Sequence, residues 1–282
     1  MRSRLRWRTV CLLLLLAVAA LAGKAWHDTM SDPVIHRTHV ALADYPAGAP
    51  PVIIALLSDL HVAGPDMPPA RLARIVAQVN ALRPDLVLVA GDFVSNKRVA
   101  THIYSTEQSL APLLALDAPL GVVTVPGNHD HWRGIAEVRA GLEAVGVTVL
   151  QNSAVKLGPL VIGGVDDDFT GHSDLAATLA SMEQWRGEAA RLILTHSPDV
   201  FPALPADIGL TLAGHTHCGQ IAWPWGGSPA TMSRFGQRYS CGRVDEGGRT
   251  VVTGGGLGTS VLPLRMFTRA EVWVVTVGGY SA

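Results

Sequence analysis

Asp59-Leu60-His61, Gly91-Asp92, Gly127-Asn128-His129-Asp130, His196 and Gly214-His215-Thr216-His217 are short polar patches in an otherwise apolar chain. Carboxylates, amides and imidazoles hold divalent cations, and imidazole moves protons near neutral pH. Ligands of these types in this number suit a pair of divalent metals better than one structural zinc. Each patch follows a run of Val, Ile, Leu and Ala that reads as a buried strand. Parallel sheets gather their functional groups at such strand ends.

Taken singly, most patches have a plainer explanation. Asp59 and His61 stand two apart and can point into one cleft, but this pairing arises often by chance. Gly91 allows close backbone approach to an ion and Asp92 can bridge two, yet either Asp is also a common turn or helix cap. Gly127-Asn128-His129-Asp130 is stronger: an amide carbonyl is a hard ligand, and an adjacent His with a carboxylate suits proton transfer. His196 alone reads as a core or turn histidine, and His215 and His217 are spaced to serve two metals. His102, His131 and His172 lack a strand-end setting and read as surface or loop residues; His27, His36 and His39 fall in a linker. The joint order of the patches makes coincidence a poor explanation.

The elements that must position these groups follow from hydrophobic pattern. Strands are predicted at Val52–Leu57, Leu86–Ala90, Val122–Val125, Val147–Leu150, Leu160–Val165, Leu192–Leu194, Leu210–Leu212, Val251–Thr253 and Val272–Val277, with an edge strand near His39–Leu42. Leu72, Ile75, Val76 and Val79 form a helical stripe within Pro69–Leu82, opened by Pro68 and Pro69 and closed by Pro84. Ser105–Leu116 and Ile135–Val145 read likewise. Strand–helix alternation argues for a largely parallel α/β core. Beyond residue 147 strands follow one another more closely, which predicts a second sheet packed on the first. The Trp223–Tyr239 stretch reads as a long loop whose aromatics either meet an acyl chain or lipid surface or pack onto their own domain.

Of 282 residues, 48% are hydrophobic and 16% charged, a composition for an ample core. A formal net charge of −1 gives no reason to expect nucleic acid as a partner. Cys11, Cys218 and Cys241 allow at most one internal pair, so no disulfide framework holds the fold. Arg2, Arg4, Arg6 and Arg8 precede an apolar run from Val10 to Gly23, which reads as a cleaved export signal or a retained anchor. Either reading leaves the arginines inside and the body across the membrane. Residues 1–23 are thus a targeting segment, 24–36 a linker and 37–282 one catalytic domain.

The patches in order resemble the calcineurin-like metallophosphoesterase superfamily: D-x-H, G-D, G-N-H-[DE], H and G-H-x-H, from about residue 52 to the end. Ser58-Asp59-Leu60-His61, His215-Thr216-His217-Cys218-Gly219-Gln220-Ile221 and the tail Gly256–Ser260 with Leu262-Pro263-Leu264-Arg265 are similar to a membrane-associated bacterial branch, of the YkuE and YaeI type. The resemblance implies a four-layer α/β/β/α sandwich of two mixed sheets. It implies that Asp59, His61 and His217 hold one metal, that Asn128, His196 and His215 hold a second, and that Asp92 bridges them. His129 would be the general acid, oriented by Asp130. Ser95, with Asn96 beside it, stands where many members carry Asp or Asn, which puts only the local loop in doubt. Asp166, Asp167 and Asp168 resemble an acidic pair of this branch and read equally as a solvated turn.

The chemistry implied is hydrolysis of phosphoester or pyrophosphate bonds by metal-activated hydroxide, with two divalent ions (Mn, Fe, Zn or similar) as cofactors. A lipid-linked substrate such as UDP-2,3-diacylglucosamine of the lipid A pathway is the named candidate, although an outward-facing body would not meet it. A general periplasmic phosphodiesterase or phosphomonoesterase, and a non-catalytic metal-binding envelope domain, are the alternatives.

Overall fold

Strands that are apolar at every position must be covered on both faces, and that demand dictates the architecture. The computed structural model describes residues 2–280. In chain order its elements begin with α1 (Arg2–Met30), β1 (Val34–Ala41), β2 (Val52–Leu57), β3 (Ala63–Gly64), α2 (Pro69–Ala81), β4 (Leu86–Ala90), β5 (His102–Ile103) and α3 (Thr106–Leu110). β6 (Val122–Val125), α4 (Asn128–Ala144), β7 (Thr148–Val149), β8 (Ser153–Leu157), β9 (Leu160–Val165) and α5 (Leu175–Met182) follow. β10 (Ala190–Thr195), β11 (Leu210–Ala213), β12 (Gly242–Glu246), β13 (Arg249–Thr253) and β14 (Glu271–Gly278) complete it.

Two six-stranded sheets result, ordered β1-β14-β2-β4-β6-β7 and β12-β13-β11-β10-β9-β8. In the first, β2, β4, β6 and β7 run parallel, while β14 is antiparallel to β2. In the second, β9, β10, β11 and β13 run parallel and hairpin partners close both edges. Alternation along each strand builds the layers. Ile54, Leu56, Leu86, Leu88 and Ala90 face Ile162, Leu192, Leu194, Leu210 and Leu212 in the core between the sheets. Ala55, Leu57, Val87 and Val89 turn the other way, onto Leu72, Ile75, Val76 and Val79 of α2. The second sheet covers its outer face with Met182 of α5 and with Val200 and Phe201. The expected four-layer α/β/β/α sandwich of mixed sheets is therefore what the chain adopts.

Several local expectations change. Residues 24–36 are not a linker: α1 continues to Met30 and β1 begins at Val34. The last helical turn is held by tertiary contacts, with Asp28 accepting from the Phe267 amide at 3.0 Å and Thr29 from the Arg265 amide at 2.7 Å. The helix expected from Ile135 begins at Asn128 and breaks at Gly134, whose φ of 123° no other residue adopts comfortably. Four strands had no clear sequence signal: β8 and β12, both edge strands, and the two-residue pair β3 and β5. Cys218 and Cys241 form a disulfide that closes the base of the Trp223–Tyr239 loop.

Candidate metal centre

Every expected ligand lies just past the C-terminal end of a parallel strand: Asp59 and His61 after β2, Asp92 after β4, Asn128 after β6, His196 after β10, His215 and His217 after β11. Parallel strands of both sheets end at the same edge of the sandwich, so residues up to 158 positions apart meet there. Turning each chain inward at once strains the backbone. Asp59, His61, Asp92, His215 and His217 all have positive φ, between 43° and 70°. Such left-handed conformations cost non-glycine residues of order 1 kcal/mol or more each and mark sites held by their surroundings. Gly91 is needed beside them: at φ 75° its hydrogen faces the Gly127 amide and His196 Nδ1, which a Cβ would approach to 2.6 and 2.8 Å.

The polar atoms converge in two groups. His61 Nε2 and His217 Nε2 stand 3.1 Å apart, with Asp59 Oδ1 3.4 Å from the latter. His196 Nε2 stands 3.1 Å from both Asn128 Oδ1 and His215 Nδ1. Asp92 Oδ2 joins the groups, 3.4 Å from His61 Nε2 and 3.3 Å from His196 Nε2. These side chains are buried.

The donor chemistry of this arrangement fits cations. His196 Nδ1 lies 2.7 Å from the Ala90 carbonyl, which can only accept, so Nδ1 carries a hydrogen and Nε2 is the atom turned to the group. Against the effect of burial, the Asp92 and Asp59 carboxylates raise His196 well above the usual imidazole range, so Nε2 also carries a proton there, the one a cation would displace. Burial drives His61 and His217 well below the usual imidazole range, and burial with the neighbouring His196 charge takes His215 down to about 3. Neutral imidazole is the ligating form. Nitrogens bound at about 2.1 Å to one ion stand about 3.0–3.4 Å apart, matching these spacings. Burial, with Asp92 nearby, also pushes the Asp59 carboxyl up to about 7, so its ionised form calls for a positive partner.

Asp130 does not do what the sequence implied. Its carboxylate accepts from the backbone amides of Asp92 at 2.8 Å, Gly127 at 2.9 Å, Phe93 at 2.9 Å and Val94 at 3.3 Å. It shares no hydrogen bond with His129 among the described residues; it clamps the Asp92 loop to the start of α4. His129 is half-buried, its Nδ1 has no hydrogen-bond partner among the described residues, and its amide donates to Asp92 Oδ1 at 2.8 Å. Its ring packs edge-on against His61 and Trp132. Asp130→Asn should therefore lower stability by about 2–3 kcal/mol, because an amide cannot accept all four donors. Thermal unfolding in detergent checks this; wild-type stability would refute the clamp.

Residues 53–219 match the calcineurin-like phosphoesterase model. The chain is 31% identical over 214 residues to the Bacillus subtilis metallophosphoesterase YkuE, covering 73% of this chain and 72% of YkuE. It belongs to the calcineurin-like phosphoesterase family. A Helicobacter pylori metallophosphoesterase is 30% identical, over 90% of this chain and 67% of its own length. A Danio rerio transmembrane protein with a metallophosphoesterase domain is 29% identical, over 94% of this chain and 61% of its own length.

Around the candidate metal centre this phosphoesterase has a cleft of about 620 Å³, lined by Asp92, Asn128, His129, His215 and His217 at the floor. Trp132, Phe169, Met232 and Val261 supply apolar walls, and Asn96, Lys97 and Arg98 a polar one. Sequence reading missed these walls. Trp132 was findable, since it lies three residues after His129 and on the same helical face.

The Asp166–Asp168 segment is not a solvated turn. Asp166 Oδ1 pairs with His131 Nε2 at 2.7 Å, which makes His131 a half-buried partner of the Asp166 carboxylate and not a free surface residue. Burial opposes protonation of His131, but the Asp166 hydrogen bond and the charges of Asp166, Asp167 and Asp130 outweigh it and raise its pKa. Asp167 caps a turn through the Thr170 amide at 2.8 Å and so presents Phe169 to the cleft, while Asp168 holds Arg234 at 2.7 Å. Arg265, in the Leu-Pro-Leu-Arg tail, is buried and donates to the carbonyls of Gly256 and Gly258 behind His217.

Proposed function

We propose that this chain is a two-metal phosphohydrolase, held at a membrane by α1, whose body acts outside the cytoplasm on phosphoesters carried by lipids. The observation that supports two ions over one is Asp92 Oδ2, which lies within 3.4 Å of a nitrogen from each group. Asp59, His61 and His217 would hold the first ion, Asn128, His196 and His215 the second, with Asp92 between them. Two divalent cations bound there would polarise the phosphoryl oxygens and acidify water. The chain's own residues do the rest. His129, at the cleft floor, gives a proton to the departing oxygen. Asp130 holds Asp92 and the α4 N-terminus in register, so that the His129 amide stays on Asp92 Oδ1. Trp132 and Phe169 exclude water from the cleft walls, and Arg98 at the mouth favours an anionic substrate.

Two features favour the outward location. Arg2, Arg4, Arg6 and Arg8 open α1, whose candidate span is Arg6–Met30. The part that stands clear of the body, 6–23, is about 27 Å long at 1.5 Å per residue, close to the ~30 Å hydrocarbon core of a bilayer. The Cys218–Cys241 disulfide belongs to an oxidising compartment. The class proposed is the lipid-linked phosphoester, with no member of it named.

Chelation tests the reading. Protein stripped with EDTA should lose hydrolysis of bis-p-nitrophenyl phosphate and regain it when manganese or zinc is returned, with close to two ions per chain by mass spectrometry. Full turnover in metal-free protein would overturn it.

A further inference from the structure

The membrane helix and the catalytic cleft share one end of the molecule. β14 is antiparallel to β2 and begins where β2 ends, and β1 starts beside it, Val34 opposite Glu271. α1 therefore reaches the body at the edge where the ligands gather. Its last turn is seated on the 265–267 segment, through Thr29 and Asp28, and Lys24 lies 5.0 Å above the Phe267 ring. Above Lys24 the helix stands clear of the body and is exposed.

At the same level sits the Trp223–Tyr239 loop. Lys24, Trp223, Pro224 and Phe267 line one cavity, so the tip of this loop lies beside the residue at which α1 leaves the body. Trp223 and Trp225 lie parallel, with ring centres 5.6 Å apart, and are 47% and 80% exposed. The loop is built, not slack. Its base is closed by the disulfide, its far side is fixed by Asp199 accepting from the Arg234 amide at 2.7 Å, and Tyr239 is buried. Its start is joined to the 260–268 segment by the Ala222 amide on Met266 O at 2.9 Å and Gln220 Nε2 on Leu262 O at 3.0 Å. These two linked segments expose Val261, Leu262 and Leu264, and the cleft wall residues Met232 and Val261 belong to them.

From this continuity we infer that the loops 221–235 and 260–267 lie in the polar–apolar interface of the same bilayer that α1 enters, so that the cleft opens onto the lipid surface. Trp residues favour that interface, and the apolar rim continues the apolar surface of the helix. A phosphoester headgroup then enters sideways, its acyl chains remaining in the membrane. This deepens the lipid-linked reading above and names the face that delivers such a substrate.

The test uses the full chain with Cys11→Ala, reconstituted into phosphatidylcholine–phosphatidylglycerol vesicles. Trp225→Cys and, at the opposite end of the sandwich, Glu188→Cys each carry an NBD fluorophore. Expected is a blue-shifted emission at 225, quenched by spin-labelled lipid, and none of this at 188. In parallel, a Trp223→Ser, Trp225→Ser variant should keep turnover of bis-p-nitrophenyl phosphate and lose about tenfold or more on bilayer-borne hexadecyl p-nitrophenyl phosphate, which has the same leaving group. A water-exposed fluorophore at 225, as a loop reserved for a protein partner would give, overturns the inference. So does an equal loss on both substrates. Failure of the wild-type chain to hydrolyse the soluble diester would instead refute the phosphohydrolase reading and leave the quenching result standing.

Discussion

Asp92→Asn should lose bound metal and activity together, with turnover down on the order of 10³-fold. The geometry fixes how the new amide sits. The His129 amide hydrogen points at Oδ1 from 2.8 Å, so the carbonyl oxygen of an asparagine must stay there. Its NH₂ then takes the place of Oδ2, between His61 Nε2 at 3.4 Å and His196 Nε2 at 3.3 Å. Two donor hydrogens would satisfy the nitrogen lone pairs that otherwise require cations. The substitution thus removes a negative charge and also supplies a competitor for both ions. Metal content by mass spectrometry, measured beside bis-p-nitrophenyl phosphate hydrolysis, checks the pairing; a variant with full activity would contradict the bridging role.

His129→Ala should separate the two properties. The amide that holds Asp92 is backbone and survives the change, so metal content should stay near wild type. The imidazole is lost, and with it the proton for the departing oxygen, worth about 10²–10⁴-fold. The loss falls on alkyl phosphoesters, whose alkoxides need that proton, and largely spares p-nitrophenyl esters, whose leaving group is stable as an anion. Comparing the two leaving groups in one variant is the measurement. An equal loss on both would assign His129 to packing or positioning instead.

The site was legible because its residues are local at strand ends. Apolar runs located β2, β4, β6, β10 and β11, and the polar residue after each run was already a candidate. What stayed hidden depends on distant partners. Asp130 follows His129 in sequence, and adjacency suggested that it serves the imidazole. Only the fold brings the amides of Asp92, Phe93 and Val94 onto its carboxylate. Asp166 and His131 carry no sign of each other across 35 positions. β8 and β12 escaped because edge strands such as Ser153-Ala-Val-Lys-Leu and Gly242-Arg-Val-Asp-Glu are half polar. The end of α1 looked like a linker because Lys24 ends the apolar run and His27 and Asp28 follow it, although Asp28 docks the helix by accepting from the Phe267 amide.

The left-handed backbone at Asp59, His61, Asp92, His215 and His217 carries a consequence for how this protein tolerates change. Asparagine and aspartate both enter that conformation more readily than most residues. Asparagine at position 92 keeps the acceptor for the His129 amide and sheds a buried charge, so this inactive variant should melt no lower than metal-free wild type. Stability and catalysis are thus in opposition at such a position. A screen that selects only for well-folded protein would drift away from the metal site, and catalytic turnover alone would keep these residues in place.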